Sequence, residues 1–275
     1  MLRIIKFYSV FLWCIMQFIF SKYQGTGNDF ILLNNLSGKY NSLNINEIQI
    51  LCDRKFGIGA DGLIKINHSE KYAFQMDYYN SDGSQSFCGN GARCAIAFVE
   101  TLGISGKEIC FEAIDGFHWA KKTENEIRIQ MSDVKIIQNI KNDFELNTGS
   151  PHYVSLRDDI SSSAIIEFGK SIRHSINYKK EGINVNILKG ISPSYIEIAS
   201  YERGVENETL SCGTGATACA LVWDKLQNVS VNFVKVKVKG GLLRVEFTRN
   251  ESGGYEKIYL CGPANFIYSG EINLP

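Results

Sequence analysis

The feature that most constrains this chain is a short motif that occurs twice. The segments CGNGA (88–92) and CGTGA (212–216) share the pattern C-G-x-G-A and lie 124 residues apart, almost half of the 275-residue chain. Each segment follows a polar stretch and precedes residues with helical spacing. The repeat predicts two similar α/β halves, each of which contributes one cysteine at the start of a helix.

The repeated motif combines an anion site with a reactive thiol. Its glycines let the backbone approach a ligand closely, and the first-turn N–H groups of a helix are unpaired and bind carboxylate or phosphate. The same positive end of the helix lowers a thiol pKa from its usual value of about 8.5. We therefore predict that Cys88 and Cys212 face each other across a small anion, as the acid and base of a racemisation at an α-carbon.

Other interpretations of these segments remain open. A cysteine at a helix start often serves only as a small apolar residue, and Cys88 with Cys94 is compatible with a metal pair, although no C-x-x-C occurs. GIGADG (57–62) and GTGATA (213–218) match the dinucleotide-binding fingerprint, which alone is weak evidence. The cysteines assigned to packing are Cys14, Cys52, Cys94, Cys110, Cys219 and Cys261.

Local patterns predict many short strands and three helices. Helical spacing covers 45–56 and ends at Gly57. Two further helices follow the motif cysteines, over 88–102 and 212–226. Strands are predicted at 16–24, 30–35, 62–66, 72–80, 108–113, 117–121, 126–131, 152–156, 164–168, 183–188, 195–201, 231–238, 242–247, 256–261 and 265–269.

Seven segments, taken together and in their order, resemble the diaminopimelate epimerase family. They cover the chain from about residue 16 to its end. Proline racemases and related isomerases share the two-cysteine design, but GTGNDF (25–30) and YERG (201–204) point to the diaminopimelate branch. The segments are KYQGTGNDFILL (22–33), GIGADGLI (57–64), NSDGSQSFCGNGARC (80–94), GSPHYV (149–154), GINVN (182–186), YERGVENETLSCGTGATA (201–218) and CGPANFIYSG (261–270).

The repeat and the resemblance together imply an α/β fold of the α+β type. Each of two pseudo-symmetric halves is expected to be a mostly antiparallel sheet wrapped around a central helix, with the active site in the cleft between them. The first half is expected to span 16–130 and the second 131–262, while the last segment, 263–275, returns to the first half.

The resemblance implies a role for each matching residue. Cys88 and Cys212 match the catalytic pair, His152 and Glu202 match groups that modulate the thiol pKa values, and Tyr268 matches a dimer-interface residue. The implied substrate-binding residues are Asn28, Asn80, Gly89, Asn90, Asn184, Gly213 and Thr214, with Glu202 and Arg203 at the distal amino-acid end of the substrate.

Some of these positions also allow a purely structural interpretation. Asn28 can shape a turn, Glu202 and Arg203 can form a surface ion pair, and His152 can be a satisfied core histidine. Two further positions depart from the family pattern. Ser150 stands where many members have asparagine, and Gly62 stands where a polar side chain often follows the aspartate, so both contacts are left open.

The function implied by the resemblance is that of a cofactor-independent isomerase. It interconverts LL-2,6-diaminopimelate and meso-diaminopimelate, in lysine and peptidoglycan precursor synthesis, and needs no metal. Two alternatives are a two-cysteine racemase for another amino acid and a non-enzymatic amino-acid-binding protein, against which the intact Cys88 and Cys212 argue. The family implies a homodimer in the cytoplasm. Equal numbers of basic and acidic residues, 29 each, give no support to a nucleic-acid partner.

The first twenty residues superficially fit a signal peptide. Arg3 and Lys6 precede a nearly unbroken apolar run, but the run from 7 to 20 is short for a membrane span and no A-x-A-like cleavage site follows. The interpretations are a true start at Met16, which the resemblance favours, a tolerated extension, and an export or anchor signal. We expect residues 1–15 to be a mis-start extension and the protein not to bind membranes.

Overall fold

The computed structural model describes residues 17–124, 126–227, 229 and 231–274. The predicted extension 1–15 and the predicted start at Met16 lie outside these residues. The helices are α1 (Ile45–Cys52), α2 (Gly89–Thr101), α3 (Ser162–Arg173) and α4 (Gly213–Leu226). The first strands are β1 (Gln17–Gly25), β2 (Asn28–Asn35), β3 (Gly62–Asn67), β4 (Gln75–Asn80), β5 (Ile109–Ala113), β6 (Gly116–Lys122) and β7 (Ile127–Gln130). They are followed by β8 (Gln138–Ile140), β9 (Asp143–Asn147), β10 (Pro151–Leu156), β11 (Asn184–Ser192), β12 (Tyr195–Glu202), β13 (Asn207–Thr209), β14 (Phe233–Val238), β15 (Gly241–Arg249), β16 (Tyr255–Gly262) and β17 (Asn265–Asn273).

The same strand topology occurs twice. In the first copy, β2 and β3 run parallel and are joined through α1, and β4 and β5 run parallel and are joined through α2. In the second copy, β10 and β11 run parallel through α3, and β12 and β14 run parallel through α4. The other strand pairs are antiparallel, so the predicted fold class, two pseudo-symmetric and mostly antiparallel halves, is confirmed.

The two copies join into one continuous set of paired strands. Strand β7 of the first copy pairs with β16 of the second. After β16 the chain crosses back, because β17 pairs antiparallel with β1, from Gln17 opposite Asn273 to Gln24 opposite Asn265. The sequence predicts that the last two strands pair with each other. In the structure, β16 pairs with β15 and β7, whereas β17 pairs with β1. At this crossing, the carbonyl oxygen of Pro263 accepts a hydrogen bond of 3.3 Å from Arg93 of α2.

Each motif helix is buried within its own half. Helix α2 packs Ile96, Phe98 and Val99 into a core shared with β2, β3 and β7, and α4 packs Leu221 and Val222 into a second core. Because both helices are enclosed by strands, their N-terminal ends are fixed by the cores rather than by loops.

Two predicted elements differ from the structure. The residues 164–168, predicted as a strand, lie in α3, because Ser161 accepts a capping hydrogen bond from Ala164 N–H at 3.3 Å and apolar residues recur at helical spacing. Helix α1 ends at Cys52 rather than near Gly57, because the Asp53 carboxylate accepts from the backbone of the next residues and forms a turn. No helix of the described residues is long and apolar enough to cross a bilayer.

The packing of α3 gives a prediction about stability. A methyl group on Gly169 would stand 2.5 Å from Cβ and Cγ of Tyr201 on β12. Gly169→Ala should therefore lower the free energy of unfolding by about 1–3 kcal/mol through overpacking, although alanine is the better helix former by about 1 kcal/mol. Urea denaturation measures this, with the exposed Lys170→Ala as the control within about 0.5 kcal/mol. A more stable Gly169→Ala protein would contradict this packing.

Candidate active site

Each motif cysteine is the residue that caps a helix. Cys88 precedes α2 and Cys212 precedes α4, both with extended backbone (φ −131° and −111°). Their carbonyl oxygens accept the first helical hydrogen bonds, from Ala92 and Ala216, each at 2.8 Å. The unpaired N–H groups of both first turns therefore lie beside the thiols, and Cys88 Sγ accepts from Gly91 N–H at 3.4 Å.

The two helix starts are in direct contact. Asn90 Nδ2 donates to the carbonyl oxygen of Ser211 at 3.1 Å, and the hydroxyl groups of Thr26 and Ser211 are 2.8 Å apart. A methyl group on Gly213 would lie 2.8 Å from Leu260 Cδ2 and 3.3 Å from Asn90 Oδ1. Glycine at this position therefore allows the approach, and the positive ends of both helices meet in one place.

The thiol of Cys88 faces an amide. Cys88 Sγ lies 3.7 Å from Asn28 Oδ1, and Asn90 Nδ2 lies 3.4 Å from the same oxygen. Asn28 Nδ2 donates to Asp61 Oδ2 at 2.6 Å, which fixes the orientation of the amide. Asn28 is therefore part of the thiol environment as well as a turn residue.

An ionic cluster supports this amide, and the sequence reasoning did not identify it. Arg54 Nη2 lies 2.6 Å from Asp29 and 2.7 Å from Asp61. Lys22, almost fully buried, lies 2.9 Å from Asp29. Burial acts to raise the pKa of Asp29, but Arg54 and Lys22 outweigh it and hold the pKa at about 2. The available signal was the pair of aspartates, Asp29 and Asp61, inside the glycine-containing turns GTGND and GADG.

The two thiols have different electrostatic surroundings. Burial, with a smaller contribution from the negative charge of Glu202, raises the pKa of Cys88 to about 11, against which the N–H groups of Gly91 and Asn90 and the charge of Arg93 act. Burial also raises the pKa of Cys212 well above its usual range, and the negative charge of Glu202, which lies within hydrogen-bond reach of this thiol, adds to the effect. Cys212 is also the less exposed of the two, with 5% of its surface accessible. Because Cys88 is the more exposed thiol and lies near the positive charge of Arg93, we expect it to ionise more readily than Cys212.

Glu202 belongs to the Cys212 side and does not pair with its neighbour. Thr209 donates to its carboxylate, and burial raises its pKa. Arg203 points elsewhere, since its Nη1 donates to the carbonyl oxygen of Glu181 at 2.9 Å. No Glu202–Arg203 ion pair is found among the described residues, so the surface-pair interpretation is wrong. Thr214 Oγ1 lies 3.6 Å from Cys212 Sγ.

The two departures from the family pattern are accommodated in different ways. Ser150 supports a neighbour, because Asn184 Nδ2 donates to its hydroxyl at 2.8 Å while Asn184 Oδ1 accepts from Arg203 N–H at 2.9 Å. At Gly62 a side chain would stand 2.5 Å from Tyr78 Cε2, so the tyrosine fills that space. Its hydroxyl donates to Asn80 Oδ1 at 3.0 Å. The sequence did not identify Tyr78 as part of the site.

Among the described residues, no hydrogen bond joins Asn80, His152 or Tyr268 to either thiol. Asn80 Nδ2 holds the following loop through Ser84, at 3.0 Å to its hydroxyl. His152 is fully buried, and burial together with the positive charge of Arg203 lowers its pKa to about 3, so the imidazole is neutral. Tyr268 lies outside the site on β17, half-exposed and edge-on to a ring of β1.

The alternative interpretations of the motifs find little support in the geometry. GIGADG (57–62) lies between α1 and β3, so it joins a helix to a strand, the reverse of the dinucleotide fingerprint. Cys94 is fully buried in the apolar core of the first half. Within the described ranges, no group of three or more metal-binding side chains is found.

Comparisons of sequence identify one family, and comparisons of structure find the same fold in other proteins. The family model described as diaminopimelate epimerase matches residues 20–137 and 144–267. A diaminopimelate epimerase from Flavobacterium psychrophilum is 46% identical over 253 residues, which is 91% of this chain and 98% of that protein. A PhzF-family phenazine biosynthesis protein from Bacillus anthracis has a similar fold (TM-score 0.75, 11% identity, 94% of this chain and all of that one). So does a probable proline racemase from Agrobacterium radiobacter (TM-score 0.68, 12% identity, covering 94% and 93%).

The difference between the thiols predicts an order of alkylation. With iodoacetamide at pH 7 to 9, Cys88 should react faster than Cys212, because a lower pKa gives more thiolate at each pH. Glu202→Gln should accelerate alkylation of Cys212 more than that of Cys88, since it removes the nearer negative charge. Mass spectrometry of the modified peptides measures both rates, with the fully buried Cys219 as the unreactive control. Faster reaction at Cys212 in the unaltered protein would contradict this order.

Proposed function

The chain belongs to the diaminopimelate epimerase family, and from that premise we propose that it interconverts LL-2,6-diaminopimelate and meso-diaminopimelate without a cofactor. One observation carries the proposal beyond resemblance. Two cysteines cap two different helices whose first turns touch through Asn90, Ser211 and Gly213. A carboxylate bound at these turns has its α-carbon flanked by both thiols.

The proposed reaction moves one proton to the substrate and one away from it. The thiolate of one cysteine takes the α-proton, and the electron pair of the C–H bond spreads into the substrate carboxylate. The thiol of the other cysteine then protonates the α-carbon on the opposite face, which inverts its configuration. Afterwards the base has become a thiol and the acid a thiolate, so the enzyme is ready for the reverse direction.

The helix starts supply the stabilisation that the planar intermediate needs. The N–H groups of Gly89 and Asn90 belong to one first turn, and those of Gly213 and Thr214 belong to the other. These groups are fixed before the substrate arrives, so they stabilise the developing negative charge without reorganisation. Their glycine positions also leave room for the carboxylate.

The distal amino-acid end of the substrate is proposed to contact Asn28, Asn184, Glu202 and Arg203. The amide of Asn184 is already oriented by Ser150 and by the backbone of Arg203. Arg203 donates to the carbonyl oxygen of Glu181, and Glu202 accepts from Thr209, so neither charge is neutralised by the other when a carboxylate and an ammonium group bind. Such a site favours a substrate with two amino-acid ends over proline, which has one.

We propose further that the enzyme works as a homodimer in the cytoplasm. Among the strands that the structure describes, β17 pairs with β1 alone, and it exposes Phe266, Ile267 and Tyr268, whose accessible fractions are 54%, 51% and 43%. An exposed apolar strand edge of this kind is typical of an interface. Sedimentation as a monomer at micromolar concentration, or recovery of the protein in the periplasm, would contradict this assignment.

Turnover tests the function directly. With LL-diaminopimelate the protein should form the meso isomer, and proline should remain unchanged, as followed by chiral chromatography. Cys88→Ala and Cys212→Ala should each lower kcat roughly 10³-fold or more, because each removes half of an obligatory acid–base pair. The two losses should not add in the double variant.

The matched control is Cys94→Ala, which gives α2 the residue that α4 has at the equivalent position, Ala218. It should keep most of the activity. Circular dichroism should show all these variants folded. Near-normal turnover by Cys212→Ala would refute the two-base assignment, and turnover of proline instead of diaminopimelate would favour a different racemase.

A further inference from the structure

The side chains that pack behind Cys88 in the first half differ in polarity from those at the equivalent positions behind Cys212 in the second half. The strand pairings show which residues of the two halves correspond. Ile64 on β3 lies opposite Tyr78 on β4, and Asn186 on β11 lies opposite Ser200 on β12. All equivalent positions in these strands are 122 residues apart. The corresponding residues are Phe30 and His152, Ile64 and Asn186, and Tyr78 and Ser200.

The first turn of α2 packs against the apolar side chains of Ile64 and Phe30. A methyl group on Gly91 would lie 3.1 Å from Ile64 Cδ1, 3.4 Å from Phe30 Cε1 and 3.5 Å from Cys88 Cβ. The rings of Phe30 and Tyr78 meet edge to face, with centroids 5.9 Å apart. Phe30 and Ile64 have no hydrogen-bonding side-chain group to offer Cys88, and the hydroxyl of Tyr78 donates to Asn80 Oδ1 instead.

The first turn of α4 rests on a buried polar network. A methyl group on Gly215 would overlap Asn186 Oδ1 and lie 3.2 Å from Cys212 Sγ. Ser200 Oγ donates to Asn186 Oδ1 at 2.8 Å, and Asn186 Nδ2 lies 3.0 Å from His152 Nδ1. The three polar side chains are 4% accessible or less. Buried polar groups of this kind are costly unless they are fully bonded.

The network determines which imidazole nitrogen carries the proton. Asn186 Nδ2 also lies 3.2 Å from the carbonyl oxygen of Tyr153, which can only accept. The amide nitrogen therefore faces His152, and His152 Nδ1 accepts. A neutral imidazole that accepts at Nδ1 carries its proton on Nε2. This Nε2–H group is buried and has no hydrogen-bond partner among the described residues.

We propose that Asn186, held by Ser200, is a positioning residue that locks His152 as its Nε2–H tautomer, so that a neutral donor faces the thiolate of Cys212. His152 takes the place of Phe30, whose ε carbon touches the first turn of the other motif helix. By this correspondence, the proposal directs the ε nitrogen of His152 towards Cys212. Among the described residues Nε2 has no hydrogen-bond partner, so we expect the bond to Cys212 Sγ to form when the thiol ionises. The proposal rests on the proposed function only in requiring that Cys212 ionises during catalysis.

The donor offsets a disadvantage of Cys212. The negative charge of Glu202 disfavours both thiolates, but at Cys88 the positive charge of Arg93 acts against it. A neutral donor stabilises a thiolate and leaves the thiol unaffected, so it aids ionisation without adding a permanent charge. The charged group that acts on the imidazole itself is Arg203, which together with burial keeps it neutral.

The first test reads the tautomer without substrate. In protein labelled with ¹⁵N-histidine, long-range proton–nitrogen spectra from pH 5 to 9 should show His152 as the Nε2–H tautomer with no titration. His152→Gln assigns the signal. An Nδ1–H tautomer, or titration of His152 within this range, would overturn the proposal.

The second test uses site-resolved alkylation. Asn186→Ile installs the residue type of the first half, and it should release the tautomer and slow alkylation of Cys212 about tenfold at pH 8, the effect of one pKa unit on the thiolate fraction. Cys88 should change less than twofold. Ser200→Ala should act in the same direction more weakly. Val154→Ala, a buried apolar neighbour of Asn186 across the strand pair, should destabilise the protein but leave the tautomer and the ratio of the two rates unchanged.

Equal slowing of both thiols by Asn186→Ile, or an unchanged Cys212 rate, would overturn the proposal. If Asn186→Ile does not fold, the tautomer of the unaltered protein and the Ser200→Ala rates decide. Neither readout needs turnover, so failure of epimerisation with an intact Nε2–H tautomer would count against the proposed function alone.

Discussion

The site depends on one buried guanidinium group. Arg93 on α2 is fully buried, and it has no acidic partner within the part of the chain that the structure describes. Its Nη2 donates to Asn90 Oδ1 at 3.0 Å and to Thr26 Oγ1 at 3.2 Å. Because Arg93 occupies the oxygen of Asn90, the amide nitrogen turns to Ser211, beside the second thiol. A buried cation without a counter-charge is costly, and in our account the substrate carboxylate at the helix starts supplies the missing negative charge.

The repeat supplies the geometry, and its differences supply the chemistry. Equivalent strand ends carry Asn80 in one half and Glu202 in the other, and the positions behind the thiols carry Phe30 in one half and His152 in the other. A symmetric scaffold suits a reaction that approaches one carbon from two faces. Unequal surroundings separate the tendencies of the two thiols to ionise, so that one serves as the base while the other holds its proton, which a single proton transfer requires.

The sequence predicted what depends on local pattern and left out what depends on side-chain direction. The two motif helices and most strands were predictable from glycines and periodicity. Helix α3 was predicted as a strand because Ile165 and Ile166 form a short apolar run, which periodicity cannot assign without length. The role of Tyr78 was missed because nothing local tells that its ring fills the space above Gly62. The polar network of Asn186 was missed for the same reason.

The central claim is that two opposed thiols exchange protons with the substrate, and the origin of the product's proton tests it most directly. Turnover should be started in D2O separately from the LL and the meso isomers, and deuterium should be followed by mass spectrometry at early times. The donor thiol exchanges with solvent before the substrate binds, so early product should carry deuterium while unreacted substrate stays protonated. Product that lacks solvent deuterium, from either direction, would contradict Cys88 and Cys212 as opposed acid and base.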